Sequence, residues 1–197
     1  MPRLKGNTKE IIMEKSLRLF AERGFDAVSV RTIAEAVGIG NSALYKHFPS
    51  KQAIFDAIVE TSKGKYLDQC CQVTARIRGL DEMKRYCLEM FEYQTGNEWI
   101  VMFRKLLLHE KFHDEKMAEI YKMFFVDIPI NNQMAVFDTL QKQGLMIAGD
   151  TRVYAMELYA PFYLYHFVEN DKETLSELYE KHVEYFFDTH FLKEINK

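Results

Sequence analysis

The sequence predicts an all-α protein, on the strength of three features. Only four prolines and nine glycines occur in 197 residues, so few positions interrupt a helix. Apolar residues recur at steps of three and four, the spacing that places them on one face of a helix. No segment alternates apolar and polar residues as a half-buried strand would, and no internal repeat or low-complexity segment is present.

The composition is that of a globular chain. Hydrophobic residues make up 48% of the sequence and charged residues 28%, so the chain can bury a sizeable core. Because the start has no basic segment followed by an apolar one, we expect no signal peptide. The longest apolar stretch, 153–168, contains Glu157, Pro161 and His166 and is shorter than the roughly 20 apolar residues that a membrane span needs. We therefore expect this stretch to be a buried helix, and we expect no membrane partner.

The cysteines favour a reducing compartment. Cys70 and Cys71 are adjacent, Cys87 is separate, and no C-x-x-C spacing occurs. Adjacent cysteines on one helix do not pair easily with each other. We therefore expect free, packed thiols in a cytoplasmic protein.

Nine helices can be placed in order from apolar spacing and from capping residues. The first ends at Gly24, Ser29 caps a second that extends to Ala36, and Ser50 caps a long fourth helix. Gly144 and Asp150 are expected to end one helix and begin the next. The predicted ranges after the first helix are 29–36, 41–47, 50–78, 81–95, 98–110, 114–143, 150–168 and 172–192.

The charge is unevenly distributed along the chain. Residues 1–51 hold nine Lys and Arg against five Asp and Glu, whereas the net charge of the whole chain is −3. A basic N-terminal segment on an acidic body is typical of a nucleic-acid-binding domain joined to a domain with another task.

Residues 29–48, SVRTIAEAVGIGNSALYKHF, have the pattern of a helix-turn-helix. Apolar side chains of both short helices face inward, and Gly38 gives the turn the backbone freedom that it needs. The second helix would enter the major groove, with Asn41 and Ser42 at base edges. Tyr45, Lys46 and His47 can reach phosphates. The predicted DNA-binding residues are Ser29, Arg31, Thr32, Gly40, Asn41, Ser42, Tyr45, Lys46, His47 and Lys51.

Residues 9–54 resemble the N-terminal domain of TetR/AcrR-type transcriptional regulators. The matching residues are Phe20, Gly24, Ser29-Val30-Arg31, Ile33-Ala34, Ala36-Val37-Gly38-Ile39, Leu44-Tyr45-Lys46-His47-Phe48 and Pro49-Ser50-Lys51. The resemblance implies an all-helical homodimer, usually a repressor, with a ligand-sensing C-terminal domain. It divides the chain into a helix-turn-helix DNA-binding domain, 1–50, and a ligand-sensing and dimerisation domain, 51–197. At Gly40 the family often has serine, so the recognition helix lacks a usual capping hydroxyl.

The last two helices carry the expected dimer interface. The helix from residue 150 is apolar on nearly every face, so it needs covering on two sides, and the last helix has an apolar stripe. In the resembled family these helices form a four-helix dimer bundle. The predicted interface residues are Tyr159, Phe162, Phe167, Leu178, His182, Tyr185 and Phe186.

The middle helices are rich in aromatic residues and methionines, which form either plain core or the wall of an apolar ligand pocket. Pro129 inside a helix would deprive the Phe125 carbonyl of its donor and open a kink beside them. The charged candidates to orient a ligand are Arg104, Glu98, Asp127 and His166, and for each of them we favour a place at the surface or at a helix cap over a ligand contact. The candidate pocket residues are Trp99, Met102, Phe103, Tyr121, Phe124, Phe125, Met134, Phe137 and Tyr163.

A second motif points to a different chemistry. HEKFH, residues 109–113, matches the H-E-x-x-H in which two histidines grip zinc and the glutamate activates a water. A zinc peptidase would also need a third ligand, and the available histidines, at 166, 182 and 190, lie on the helices assigned to the dimer. The alternatives are therefore a zinc hydrolase using His109, Glu110 and His113, a metal-responsive regulator, and a solvated helix end.

Together these features predict a regulator and not an enzyme. We expect a homodimer that binds double-stranded DNA at an inverted-repeat operator, and we expect no cofactor and no bound metal. A small, largely apolar or aromatic effector would change the DNA affinity. The N-terminal arm, with Arg3 and Lys5, could lie in the minor groove or remain a solvated tail.

Overall fold

A computed structural model describes residues 7–74, 79–165 and 172–192, and these residues are almost entirely helical, as predicted. They contain no strand beyond a single bridge that pairs Met146 with Phe191. The helices are α1 (Thr8–Arg23), α2 (Val30–Val37), α3 (Asn41–His47), α4 (Lys51–Thr74), α5 (Leu80–Gly96), α6 (Glu98–Glu110), α7 (Glu115–Lys122), α8 (Ile128–Lys142), α9 (Thr151–Tyr165) and α10 (Lys172–His190).

Three helices are capped at their N-termini by the side chains that the sequence predicted. The Ser29 hydroxyl accepts a hydrogen bond from the backbone N–H of Thr32 at 3.1 Å, and that of Ser50 accepts from Ala53 at 3.0 Å. The Asp150 carboxylate accepts from the N–H of Arg152 at 2.9 Å. Each bond satisfies a donor that the first turn of a helix leaves without an intrahelical partner.

The predicted helix 114–143 is interrupted. Between α7 and α8, residues Met123–Asp127 form one π-helical turn, and Pro129 lies at the start of α8. Proline has no N–H to donate to the carbonyl four residues earlier, which is that of Phe125. The Tyr163 hydroxyl of α9 donates to this oxygen at 2.8 Å. The irregularity foreseen from Pro129 is therefore a π turn, and the Phe125 carbonyl within it accepts a hydrogen bond from another helix.

The described chain forms two compact units. The first extends to Cys70 and includes Gln94–Tyr121, and the second comprises Cys71–Tyr93 and the residues from Lys122 on. In the first, α1 packs against α6, α2 and α3. Its fully buried side chains include Ile12, Phe20, Ile33, Leu44, Ile54, Phe55, Ile58, Phe103, Leu106 and Leu107. The predicted boundary at residue 50 stays a prediction, because compactness does not test which segment folds alone.

The second unit is an aromatic core between α5, α8, α9 and α10. Phe91 stacks on Tyr179 with ring centroids 4.1 Å apart, and Phe137 stacks on Phe186 at 5.6 Å. Burial in this core raises the pKa of Cys87 to about 12, so its thiol stays protonated near neutral pH. None of the three cysteines forms a disulfide, but Cys71 is exposed, so the expectation of packed thiols fails for it.

Among the residues described, no helix is long and apolar enough to cross a membrane. The apolar stretch that begins at Val153 forms α9 instead, up to the end of its described part at Tyr165. His166 and Phe167, like the arm residues Arg3 and Lys5, lie outside the described residues.

Candidate functional site

The helix-turn-helix is built as its apolar pattern predicts. Ile33, Val37 and Leu44 are buried on the inner side of α2 and α3. Gly38 ends α2 in the left-handed conformation, with φ of 79°, and its N–H bonds to the carbonyl of Ala34. Glycine adopts the left-handed conformation without a steric cost, so the chain can turn sharply into α3 at this position.

The opposite side of α3 is open to solvent. Asn41, Ser42 and Lys46 are exposed, and Tyr45 is 52% exposed although it is aromatic. His47 is half-buried at the helix end. Gly40 begins α3 without any side-chain cap, in line with the missing hydroxyl noted from the sequence. The helix therefore presents amide, hydroxyl, phenol and ammonium groups together on one surface.

The predicted contact residues of α2 are partly engaged with one another. The Ser29 hydroxyl lies 2.8 Å from that of Thr32, and the Arg31 guanidinium donates to the Glu35 carboxylate at 2.9 Å. The Arg31–Glu35 pair is largely exposed, so solvent screens it and its contribution to stability is small. Arg31 can therefore exchange this partner for a phosphate at little cost.

Lys51 differs from the other predicted contacts, because its ammonium group is turned toward the protein. It donates to the Phe25 carbonyl at 2.7 Å and lies 4.2 Å from the centre of the Phe25 ring. The sequence gave no sign of this bond, which joins the first residue of α4 to the turn before α2.

HEKFH lies where α6 ends, and its geometry differs from that of a zinc helix. The helix stops at Glu110, and the residues 111–113 form a turn, so His113 has left the helix that carries His109. Glu110 is only 8% exposed, and its carboxylate accepts the backbone N–H of Phe25 at 2.8 Å. His109 Nδ1 lies 3.1 Å from the same carboxylate oxygen. The glutamate that would activate a water is bonded to the backbone instead.

No group of three or more His, Cys, Asp or Glu side chains that could hold a metal ion occurs among the described residues. His182 and His190, two of the possible third ligands, both bond to Glu157 of α9 at 3.0 Å, the first to its carbonyl and the second to its carboxylate. Among the described residues, HEKFH therefore has neither a third ligand nor a glutamate available to activate a water, and His166, the remaining candidate ligand, lies outside them.

The candidate pocket residues fall in both compact units. In the first unit Phe103 is fully buried, and the Trp99 indole N–H donates to the buried Ser62 hydroxyl at 2.8 Å. Burial raises the pKa of Tyr121, an effect that the nearby positive charge of Arg104 opposes. A cavity of about 140 Å³ is lined by Glu14, Leu17, Arg18, Glu98, Trp99 and Met102. This volume is below the roughly 300–1,000 Å³ of typical small-molecule sites.

In the second unit Phe124, Phe125 and Phe137 are buried, and Met134 is half-buried. Tyr163 takes part in a larger groove of about 410 Å³, lined by Val126, Asp127, Ile130, Asn131, Arg152, Met156, Ala160 and Tyr163. The π turn and α8 form one side of this groove, and α9 forms the other. Its volume is in the size range of ligand sites.

Arg104 was expected at the surface or at a helix cap, and the structure corrects the first of these alternatives. Its side chain is fully buried, and Nη1 donates to the Gln94 carbonyl at 2.6 Å. Arginine can be buried where its fork of donors finds acceptors, and the adjoining end of α5 supplies one. Glu98 and Asp127 lie at the surface as expected, paired with Arg18 and Lys122.

The predicted dimer residues divide by exposure. Tyr159, Phe162 and Phe186 are buried inside the second unit, and His182 is half-buried. Leu178 and Tyr185 of α10 are 53% and 68% exposed. Large apolar side chains of α9 that the predicted set did not include are exposed as well, namely Val153, Met156 and Leu164. The sequence of α9 does not show which side of the helix is exposed, because nearly every position is apolar.

Comparisons with known proteins agree with this geometry. The family model of the bacterial regulatory proteins of the tetR family matches residues 12–58, from α1 into α4. The HTH-type transcriptional regulator YerO of Bacillus subtilis (strain 168) is 31% identical over 144 residues, which are 71% of this chain and 46% of YerO. AcrR of Shigella flexneri is 29% identical over 54% of this chain and 48% of its own length. The chain thus spans about half the length of these curated relatives.

Solved structures extend the similarity of fold to nearly the whole chain. SmeT, the repressor of the Stenotrophomonas maltophilia multidrug efflux pump SmeDEF, has a TM-score of 0.68 at 16% identity, covering 98% of this chain and 94% of SmeT. The ketosteroid regulator KstR2 of Mycobacterium tuberculosis has a TM-score of 0.69 at 15% identity, covering 97% and 98%. These four proteins are named as transcriptional regulators or repressors, which agrees with the prediction of a regulator and not an enzyme. With its helix-turn-helix at residues 29–48, the chain belongs to the TetR family of bacterial transcriptional regulators.

Proposed function

We propose that this protein is a dimeric transcriptional repressor that binds an inverted-repeat operator and releases it when a small, largely apolar or aromatic molecule binds. The observation that carries the proposal is the division of α3. Leu44 is fully buried, while Asn41, Ser42, Tyr45 and Lys46 are exposed on the other side. A short helix held by its apolar side, with donors and a cation facing outward, suits the major groove.

The residues of α3 divide into two kinds of contact. Asn41 and Ser42 lie in its first turn, where side chains reach base edges, so they would supply sequence preference. Tyr45 and Lys46, with Arg31 of α2, would bond to phosphates, which fix position but carry no sequence information. Ser29, Thr32, Gly40 and His47 complete the proposed DNA surface.

The dimer would form through α9 and α10. A second copy of the chain would remove their exposed apolar side chains from water, which favours association. These side chains are Val153, Met156, Leu164, Leu178 and Tyr185. A two-fold axis then places one copy of α3 on each half of the operator. This face keeps Leu178 and Tyr185 from the predicted set, and in place of the buried aromatic residues it has the exposed aliphatic side chains and the methionine of α9.

The effector would act through unequal binding to two states of the dimer. A small molecule changes DNA affinity only if it binds the DNA-competent and the incompetent form unequally. The 410 Å³ groove beside Tyr163 has the size for such a ligand. Ligand complexes occur among the structural neighbours, and one of them, a SmeT–triclosan complex, aligns with 96% of this chain at a TM-score of 0.75. A cytoplasmic location follows from the proposed task.

The experiment is selection of genomic fragments by the purified protein, followed by sequencing of the bound DNA. We expect inverted repeats whose two half-sites are about one helical turn apart. The matched control is the double variant Asn41→Ala/Lys46→Ala, which should select no common sequence. Selection of single, unpaired half-sites by the wild type would contradict the dimer, and the absence of any shared sequence would contradict the regulator.

A further inference from the structure

We infer that Glu110, the glutamate of HEKFH, is a positioning residue for DNA recognition, which acts with Lys51 as a clamp on Phe25. The inference rests on the proposed DNA-binding function and adds a task for this segment. Glu110, at the end of α6, holds the N–H of Phe25 at 2.8 Å, and Lys51, at the start of α4, holds its carbonyl at 2.7 Å. One residue of the turn after α1 is thus bonded by side chains from two other helices.

The approach of Glu110 requires a glycine beside it. Gly24 has φ of 82°, a conformation that other residues adopt only with strain. A Cβ atom built there would lie 2.8 Å from the carboxylate oxygen of Glu110 and 3.1 Å from Cε1 of His109. The glycine that ends α1 therefore also leaves the space through which the carboxylate reaches the backbone.

The bonds of the clamp lie in a setting that strengthens them. Glu110 is 8% exposed, so its hydrogen bond to Phe25 is both charge-assisted and shielded from water. The Phe25 ring packs against Phe20 of α1 at 5.1 Å and Phe55 of α4 at 5.5 Å. Loss of Glu110 would leave the Phe25 N–H without this acceptor in a partly buried position, at a cost comparable to that of a lost hydrogen bond.

The position of Phe25 in the chain explains why the clamp would matter for DNA. Phe25 lies four residues before Ser29, which caps α2, and α3 follows α2 through the short turn at Gly38. Fixing the backbone of Phe25 relative to α6 therefore fixes where the helix-turn-helix begins. In a dimer the orientation of each α3 determines how far apart the two half-sites must be. The clamp should thus sharpen the preference for one half-site spacing.

The test uses the full-length protein and a set of inverted repeats that differ only in spacer length. Wild type should prefer one spacing. Glu110→Leu should lose about tenfold in affinity at that spacing and little at the others, so that its profile flattens, since a hydrogen bond to a charged group is lost. Glu110→Gln keeps an oxygen acceptor and should keep most of the preference. Glu98→Leu, which removes the exposed carboxylate that pairs α6 with Arg18 of α1, is the matched control and should keep the wild-type profile.

Lys51 gives an independent check that also covers a Glu110→Leu variant that fails to fold. If Lys51 acts through the clamp, Lys51→Met should flatten the spacing profile as Glu110→Leu does. If it acts only as a phosphate contact, as its sequence context predicts, Lys51→Met should lower the affinity equally at all spacings. That second result would remove Lys51 from the clamp, and a wild-type profile in folded Glu110→Leu would overturn the inference as a whole.

Hydrogen exchange at the Phe25 amide separates this inference from the proposed function. The amide should exchange slowly in wild type and in Glu98→Leu, and much faster in Glu110→Leu. Equal protection in all three proteins would show that Glu110 does not hold Phe25, which overturns the clamp whatever the DNA result. If the Phe25 amide of wild type is protected by Glu110 but wild type prefers no half-site spacing, the spacing role of Glu110 is overturned. That result would also count against the dimeric repressor.

Discussion

Two short motifs of this chain, the helix-turn-helix at 29–48 and HEKFH at 109–113, carry specific chemical signals, yet they differ in what their polar side chains do. In α3 the residues that make the signal, such as Asn41 and Lys46, point to solvent while Leu44 is buried. In HEKFH the residue that would do chemistry, Glu110, is buried and bonded to the backbone of Phe25. Spacing alone places side chains on a helix face, but function depends on which face is exposed.

Leu44→Ala should have the largest effect on the first motif. Leu44 is fully buried, so its truncation should lower the free energy of unfolding by about 2–5 kcal/mol. Tyr45→Ala, one residue further on at a half-exposed position, should change stability by less than about 1 kcal/mol but should weaken DNA binding. Denaturant titration and DNA titration of both variants make the measurement. Comparable losses of stability in both would mean that α3 does not have one buried and one exposed side.

The next effect compares two glycines with the same sign of φ. Gly24 and Gly38 have φ of 82° and 79°, but only Gly24 has neighbours within 4 Å of a built Cβ, the nearest being Glu110. Gly24→Ala should cost about 2–4 kcal/mol through strain and overlap, whereas Gly38→Ala should cost about 1–2 kcal/mol through the left-handed backbone alone. Thermal unfolding of the two variants tests this. Equal losses of stability in the two variants would indicate that the Glu110 carboxylate moves away freely from residue 24, which would contradict a tight contact at HEKFH.

The starts of α2, α4 and α9 and the inward side of the helix-turn-helix could be predicted because their signals are local, whereas the π turn that divides the predicted helix 114–143 could not. Ser29, Ser50 and Asp150 each bond to an amide two or three residues further on. The burial of Glu110 and of Arg104 could not be predicted. The bond from Phe25 to Glu110 joins residues 85 positions apart, and nothing in the spacing of HEKFH shows that the turn after α1 lies beside it.

The exposed side of α9 and α10 was partly predictable, for a related reason. An apolar stripe such as that of α10 shows which residues share a face, and Leu178 and Tyr185 of this stripe are exposed. In α9 nearly every position is apolar, so periodicity does not separate the core side, with Phe162, from the outer side, with Met156 and Leu164. Only the packing of neighbouring helices decides between them.

The DNA contacts should divide by type, which sharpens the reading of α3. Asn41→Ala should relax the preference at one base position per half-site by about 1–3 kcal/mol, if the amide reads a base edge. Lys46→Ala should weaken binding to all sequences alike and reduce the slope of log affinity against log salt by about one per subunit, since one fewer counterion is released. Titrations with substituted operators at several salt concentrations measure both. An Asn41→Ala protein with unchanged base preference would move the readout to other residues, Arg31 or the N-terminal arm.

The smallest effects should come from the histidines of HEKFH. His109→Ala and His113→Ala should leave dimerisation and DNA binding intact and lower stability by no more than about 0.5 kcal/mol, the usual range for surface positions. The side chains of both histidines are exposed. Their only described bond within the motif is the one from His109 to Glu110, and without that bond the Glu110 carboxylate still accepts the N–H of Phe25. Elemental analysis of the purified wild type should find no stoichiometric zinc, because a catalytic zinc needs three protein ligands and an open position. One zinc per subunit that disappears in both histidine variants would mean that Glu110 and its neighbours rearrange around a metal, and it would give HEKFH the chemistry that its spacing suggests.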